Sequence, residues 1–473
     1  MKNRIQQSKL PSRREFLRAS TASALMGLGG GFSGCATNQF ATSRIGTVVV
    51  VGAGIAGLTA ARDLQRAGYG VVVLEGQDRL GGRIHTDRSL GVPIELGADR
   101  TQGIKKNPIF PLIDESGIKY VPFEWDNLSG VSSIGEPLDV EKLSTSKPDL
   151  MKMLTRAFIR NLGRAGDATV AEIVEKEKRL RRLTLEEMEI LNFSLGTGEI
   201  MNGASFERTS WKFIREFEGY NGDDQFVVNG YDAVPKLLAQ DLDIRKNQNV
   251  QAIDYTGPGV RVTTQKTTFE ADFAVVTVSL GVLKAGAIKF LPDLPWRKNR
   301  AIGRMGMGQL NKIALRYPKQ FWPMDNHGLA HGSDDQSHFP AFINIARYTN
   351  EPVLLTMAPE GFRNAMAGLS EEATVREVHA VLQGMYGADI PEPTRAIRSN
   401  WDSDPFTLGS FSFNEIGAKG QDRNDLAAPV EGRLFFAGEA THRKKFGSVS
   451  GAYVTGQRVA REVFRATVTQ VST

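Results

Sequence analysis

The chain has 473 residues, 58 of them Lys or Arg and 53 Asp or Glu, with one cysteine, Cys35. Residues 1–34 hold six of the bases (Lys2, Arg4, Lys9, Arg13, Arg14, Arg18) and one acid, Glu15, which leaves 52 of each sign in the remainder. The high isoelectric point therefore belongs to the first segment, which removes the compositional case for nucleic-acid binding, and a lone cysteine at position 35 excludes an internal disulfide and a cysteine nucleophile further along.

The chain opens on Ser12-Arg13-Arg14-Glu15-Phe16-Leu17-Arg18, which resembles a twin-arginine export signal with Arg in the last place, where Lys is commoner. Residues 19–34 are uncharged, but too few and too rich in glycine to span a bilayer as a mature helix. Phe32-Ser33-Gly34-Cys35 resembles a lipoprotein cleavage site, with Phe where Leu is usual. Residues 1–35 are thus expected to be a leader read by the twin-arginine translocase. The expected location is the periplasm, or a membrane surface through a lipid on Cys35. A basic disordered arm is the alternative.

Residues 47–83 read TVVVVGAGIAGLTAARDLQRAGYGVVVLEGQDRLGGR. The β-branched run at 48–51 predicts a buried parallel strand. Gly52 permits a tight turn, Gly54 lets backbone amides approach a pyrophosphate, and Gly57 lets the helix pack on the strand. Ile55 and Ala56 begin that helix, whose open N–H groups and positive dipole end face the phosphates. A second strand at 71–74 delivers Glu75 to a ribose diol, which fits FAD or NAD rather than NADP. A glycine turn in an unrelated α/β unit is the alternative. Arg79-Leu80-Gly81-Gly82-Arg83 then favours FAD, because an extended two-nucleotide cofactor meets a second backbone loop.

Further on, residues 172–191 predict one helix dense in both charge signs, a solvated face. A strand and turn are expected at 226–231, strands near 249–253 and 274–278, and a hairpin over 260–270. Residues 434–437 predict a strand, Gly438-Glu439 a turn and 451–464 a helix. His327, His331 and His338 have near-metal spacing, but the surrounding Gly, Asp and Ser predict a solvated loop and no metal site.

Arg79 to Arg83, then Arg433-Leu434-Phe435-Phe436-Ala437-Gly438-Glu439-Ala440, Gly451-Ala452 and Gly456-Gln457-Arg458, resemble the FAD motifs of the flavin amine oxidase superfamily. That superfamily includes monoamine and polyamine oxidases, L-amino-acid oxidases, tryptophan 2-monooxygenase and lysine-specific histone demethylases. AVVTVSLGVLK at 274–284, FLPDLP at 290–295 and Phe321-Trp322 match its blocks in order. The resemblance implies an α/β fold: a discontinuous, Rossmann-like (GR2-type) FAD-binding domain over 45–105, 226–288 and 398–470, and an α+β substrate domain over 106–225 and 289–397. It implies FAD contacts from Gly52, Gly54, Ile55, Ala56, Gly57, Glu75, Arg79, Gly81, Gly82 and Arg83. Gly97, Ala98, Asp99, Arg100, Val250, Trp401, Gly438, Glu439, Val449 and Ala452 complete that set. Ser410 stands where some relatives attach FAD to a cysteine, so non-covalent FAD is expected.

The implied reaction is hydride transfer from the carbon beside an amine nitrogen to flavin. It gives an imine, then a carbonyl and ammonia or an amine, with hydrogen peroxide if dioxygen is the acceptor. Such chemistry asks the protein chiefly for orientation and a dry pocket. Lys312, in GMGQLNKI (306–313), matches the lysine that relatives hold through water to the flavin ring; a surface lysine on a strand is the alternative. Trp401 matches a tryptophan near the isoalloxazine, or is ordinary core. Phe411 matches the first of two cage aromatics, whereas Ser448 stands at the second, so the cage is at most half present. Arg100 matches the arginine that binds the substrate carboxylate in L-amino-acid oxidases, although it could instead pair with Asp99 or contact phosphate, and Asp99 could face a second ammonium. The implied substrate is a small amine or an amino acid. A dehydrogenase with a non-oxygen acceptor, or a low-turnover FAD-binding scaffold, stay open.

Overall fold

The computed structural model describes residues 45–124, 127–138, 167–179, 183–212, 214–333, 339–358, 360 and 369–472. The readings on Arg13, Arg14, Cys35 and His338 lie outside the described residues. Strands β1 (Thr47–Val51), β2 (Gly70–Leu74), β3 (Asp243–Arg245), β4 (Phe273–Val276) and β5 (Leu434–Phe436) form one sheet in the order β3-β2-β1-β4-β5. All four pairings are parallel. Valine dominates the central strands because both faces are covered. Val48 and Val50 enter a core shared with helix α1 (Ile55–Ala67), while Val49 and Val51 enter a second core under another sheet. That second layer comprises Val250–Asp254, Val260–Thr264, Thr268–Ala271 and Lys289–Leu291.

Helix α1 stops at Gly68, whose left-handed backbone (φ 100°) suits glycine. The last helix packs on α1 with Gly456 against it, where a Cβ would come 2.5 Å from the Ala56 carbonyl. A seven-stranded mixed sheet lies elsewhere, with Asn311–Arg316 and Val353–Ala358 paired antiparallel inside it. The apolar face of Glu371–Tyr386 packs against it through Val378 and Leu382.

Two expectations need correction. The charged stretch at 172–191 is not one helix: Val170–Lys178 and α2 (Leu185–Asn202) are separate. Each begins with its own capping box, Thr169 with Glu172 and Thr184 with Glu187, so these two acids are used as caps. Residues 328–331 form a strand, not a loop, and His327 is buried with Nδ1 2.7 Å from the Tyr348 hydroxyl. Ile109, Phe110 and Ile113 join the α1 core, and Lys289–Leu291 pairs with Val250–Asp254. Among the described residues, no helix is long and apolar enough to cross a membrane, and no group of three or more His, Cys, Asp or Glu could hold a metal.

Candidate functional site

One large cavity runs from the ends of β1 and β2 toward the seven-stranded sheet, with about 310 Å³ open to the centre of a water molecule. At its nucleotide end Gly52 has φ 105°, and a Cβ there would meet the Thr277 hydroxyl at 2.7 Å. A Cβ on Gly57 would lie 2.0 Å from the Gly52 carbonyl, so α1 can approach β1 only through glycine. Gly54 differs: a Cβ would have only the Gly81 carbonyl, 3.9 Å away, within 4 Å and would intrude on the cavity. Gly54 caps α1 without a side-chain hydrogen bond, and the first turn contains no acid. The helix therefore keeps N–H groups and a positive end for an anion.

The second glycine turn is fastened to the first. Gly81 donates its N–H to the Ala53 carbonyl at 2.9 Å, and Arg79 braces the turn by donating to the Gly82 carbonyl at 2.7 Å. Arg79 does not line the cavity; its guanidinium lies 5.9 Å from the Trp401 ring centroid. Gly57 likewise acts behind the wall. Glu75 accepts from the Ala53 and Gln77 N–H groups at 2.8 and 2.9 Å. Burial raises its pKa against those hydrogen bonds. Arg83 donates to the Ser410 carbonyl at 3.0 Å and to Glu439 at 2.8 Å, tying the first segment to the last. Glu439 also accepts from Ser412 and from the Gly447 N–H. Burial would raise the Glu439 carboxyl, but Arg83, Ser412 and Arg423 outweigh it.

At the other end, Lys312 sits on Asn311–Arg316 and is 5% exposed. Its Nζ donates to the Gly97 carbonyl at 2.7 Å, the Glu95 carbonyl at 3.1 Å and Asp99 Oδ2 at 2.7 Å. Arg100 places Nε 2.7 Å from Asp99 Oδ1 and an amino nitrogen 3.1 Å from Oδ2. The guanidinium fork expected to meet a substrate carboxylate is thus turned onto the neighbouring Asp99. Burial would raise the Asp99 carboxyl, but Arg100 and Lys312 hold it well below the usual range. Burial lowers the Lys312 ammonium, opposed by Asp99. Trp401 is buried against the same corner and donates its indole N–H to the Leu96 carbonyl at 2.9 Å.

Phe411 lines the cavity and packs over Gly203 and Gly447, where any Cβ would strike its ring. Ser448 lines it too, but its hydroxyl donates to the Lys445 carbonyl and accepts from the Gly451 N–H at 3.0 Å. It thereby begins α3 (Val449–Ser472) as a cap. A serine just before a predicted helix was the available signal. Gly82, Gly97, Ala98, Val250, Gly438, Val449 and Ala452 also line the cavity, with Ile55 and Ala56. Gln102, Ile200, Met201, Leu310 and Met357 line it unforeseen. Met357 is the cross-strand neighbour of Lys312, a register that no local motif reveals.

These features fit FAD: an open Gly54, a bare helix N-terminus, a carboxylate at the ribose end and a long cavity continuing to Trp401 and Lys312. The model of flavin-containing amine oxidoreductases matches residues 55–464. The chain is 34% identical over 433 residues to polyamine oxidase 4 of Oryza sativa subsp. japonica, covering 88% of each. It is 35% identical over 444 residues to lysine-specific histone demethylase 1 homolog 3 of the same rice, covering 89% of this chain and 54% of that one. Against Protein FLOWERING LOCUS D of Arabidopsis thaliana, identity is 33% over 446 residues, covering 89% of this chain and 55% of that one. The chain thus spans about half the length of some relatives it matches. It belongs to the flavin-containing amine oxidoreductase family, with FAD as its cofactor.

Proposed function

We propose that the protein is an FAD-dependent amine oxidase with a GR2-type, Rossmann-like cofactor domain and non-covalently held FAD. The carrying observation is a buried lysine, Lys312, in the same cavity as the nucleotide cradle. FAD held there would supply the hydride acceptor for oxidation of the carbon beside the amine nitrogen to an imine, which water would hydrolyse to a carbonyl and ammonia or an amine. The chain's own part is to orient the amine and exclude water. Lys312, fixed by two carbonyls and Asp99, holds a buried ammonium at the reacting end. Trp401 and Phe411 wall that end. Dioxygen, giving hydrogen peroxide, or another compound would serve as the electron acceptor.

The engagement of Arg100 with Asp99 favours amines over amino acids as substrates. Anaerobic mixing of the holoenzyme with matched amines and amino acids tests this. Amines should bleach the flavin. Bleaching by an amino acid but not its decarboxylated amine would restore the carboxylate role of Arg100, and no bleaching by either would favour the scaffold reading.

We further propose that residues 1–35 are a twin-arginine leader, with periplasmic or Cys35-lipidated membrane location. The motif at 12–18 supports this reading. Arg13→Lys with Arg14→Lys should block export in cell fractionation; normal export would refute the leader.

A further inference from the structure

Residues 97–102 form a continuous edge of the cavity. The edge starts at Gly97, whose carbonyl holds Lys312, and ends at Gln102. Asn107 donates to the Gln102 backbone carbonyl at 3.3 Å and accepts from Ser450 at 2.8 Å, two residues beyond Ser448. Gln102 is thus tied to the start of α3, where a serine stands at the second cage position. Among the described residues, two buried side-chain oxygens on the cavity wall have no hydrogen-bond partner, Thr101 Oγ1 and Gln102 Oε1. Thr101 acts on the Tyr231 phenol behind the wall. Gln102 Oε1 is left as the uncommitted acceptor on this edge. Buried carbonyl oxygens almost always accept a hydrogen bond, so an orphan on a cavity wall marks a place for a ligand N–H.

The carboxylates around it are taken up by the protein. Asp99 accepts from Arg100 at both oxygens and from Lys312 at one. Glu439 accepts from Arg83, Ser412 and the Gly447 N–H. Four titratable groups lie behind the wall. Asp224 accepts from the Gly103 N–H, and Glu199 from the Phe206 N–H. Glu95 accepts from Thr86 and the Tyr231 N–H, and Tyr348 bonds His327. Arg100 and Lys312 set two cations against the one Asp99 carboxylate, which disfavours a further positive charge on a bound amine. Hydride transfer needs the nitrogen lone pair, and therefore the neutral amine. An amide carbonyl can hold an N–H of that amine without favouring the ammonium, as a carboxylate would.

We propose that Gln102 orients the substrate nitrogen, its Oε1 accepting an N–H of the neutral amine. The proposal rests on the amine oxidase reading above and goes further by naming the residue that presents the amine for oxidation. An uncharged acceptor at this position lets the nitrogen be held and deprotonated at once.

The test compares wild-type holoenzyme with Gln102→Leu and Gln102→Glu. Hexylamine, benzylamine and spermidine are mixed anaerobically with the wild type, and the fastest reductant is carried forward. Flavin reduction at saturating amine is followed from neutral to alkaline pH, alongside FAD content by absorbance and thermal melting. Gln102→Leu should reduce roughly tenfold more slowly, the scale of one hydrogen bond. Its FAD content and melting temperature should not change, because Oε1 has no protein partner to lose. Gln102→Glu should displace the rise of reduction with pH upward by roughly one unit or more, the effect of an opposite charge beside the amine. A rise left in place by Gln102→Glu overturns the proposal, and so does a wild-type rate in Gln102→Leu. Loss of FAD from Gln102→Leu overturns it in favour of a cofactor contact, and a lower melting temperature in favour of a structural role. Amine oxidation stands in each of those cases. No reduction of the wild type by any of the three amines overturns the amine oxidase reading and this proposal with it.

Discussion

Replacing Lys312 with methionine should slow flavin reduction or reoxidation by roughly a hundredfold, near the low end for a positioned proton-handling group, while FAD stays bound. Methionine keeps much of the length and apolar stem and removes the Nζ. Three hydrogen bonds disappear, to the Gly97 and Glu95 carbonyls and to Asp99. Asp99 is not stranded, because Arg100 still holds both its oxygens. The cost to stability should therefore stay near about 1–3 kcal/mol, below the penalty for an orphaned buried charge. The nucleotide cradle lies at the opposite end of the cavity and should retain its affinity. Stopped-flow reduction and reoxidation, with FAD content measured by absorbance, check this. Unchanged kinetics would remove Lys312 from the mechanism.

Gly54→Val should abolish FAD binding without unfolding the chain. The Gly54 backbone has φ −80° and ψ 179°, an extended conformation open to valine. Its Cβ would have only the Gly81 carbonyl, at 3.9 Å, within 4 Å. The branched side chain would instead stand where the phosphates approach the backbone. Losing two charge-assisted hydrogen bonds at about 1.5–3 kcal/mol each lowers affinity by roughly 10²–10⁴-fold. Gly57→Val is the contrasting variant, since its Cβ would lie 2.0 Å from the Gly52 carbonyl and disrupt the packing of α1 on β1. Equilibrium dialysis with FAD and thermal melting of the apo-proteins separate the cases. A Gly54→Val protein that keeps full FAD affinity would remove the turn from the phosphate site.

The residues legible in the sequence are those whose job is local. Gly52, Gly54, Gly57 and Glu75 lie within one strand-turn-helix-strand unit, so spacing alone carries their geometry. The buried valines of β1, β2 and β4 declared themselves by β-branching. What escaped was set by distant partners. Asp99 and Lys312 stand 213 positions apart, and only the folded chain brings their charges within 2.7 Å. For Arg100 the sequence leaves a substrate carboxylate, phosphate and Asp99 as partners, and the structure shows the pairing with Asp99. Ser448 stands at the second cage position, and its capping of a helix depends on the turn that brings Lys445 and Gly451 to its hydroxyl. Met201 and Met357 reach the cavity through packing and strand register, for which apolar residues provide no spacing signal.

The bridge from Arg83 to Glu439 joins residues 356 apart. Gly438 and Glu439, just after strand β5, and the start of helix α3 line the same cavity. A growing chain on the ribosome can shape the first glycine turn early, but it lacks the closing wall until the segment that follows Leu434 has emerged. Cofactor capture then waits for that segment, and a chain cut short before Leu434 would leave the cradle open on one side. Under the export proposal above, the interval between completion of that wall and translocation becomes the time for loading FAD.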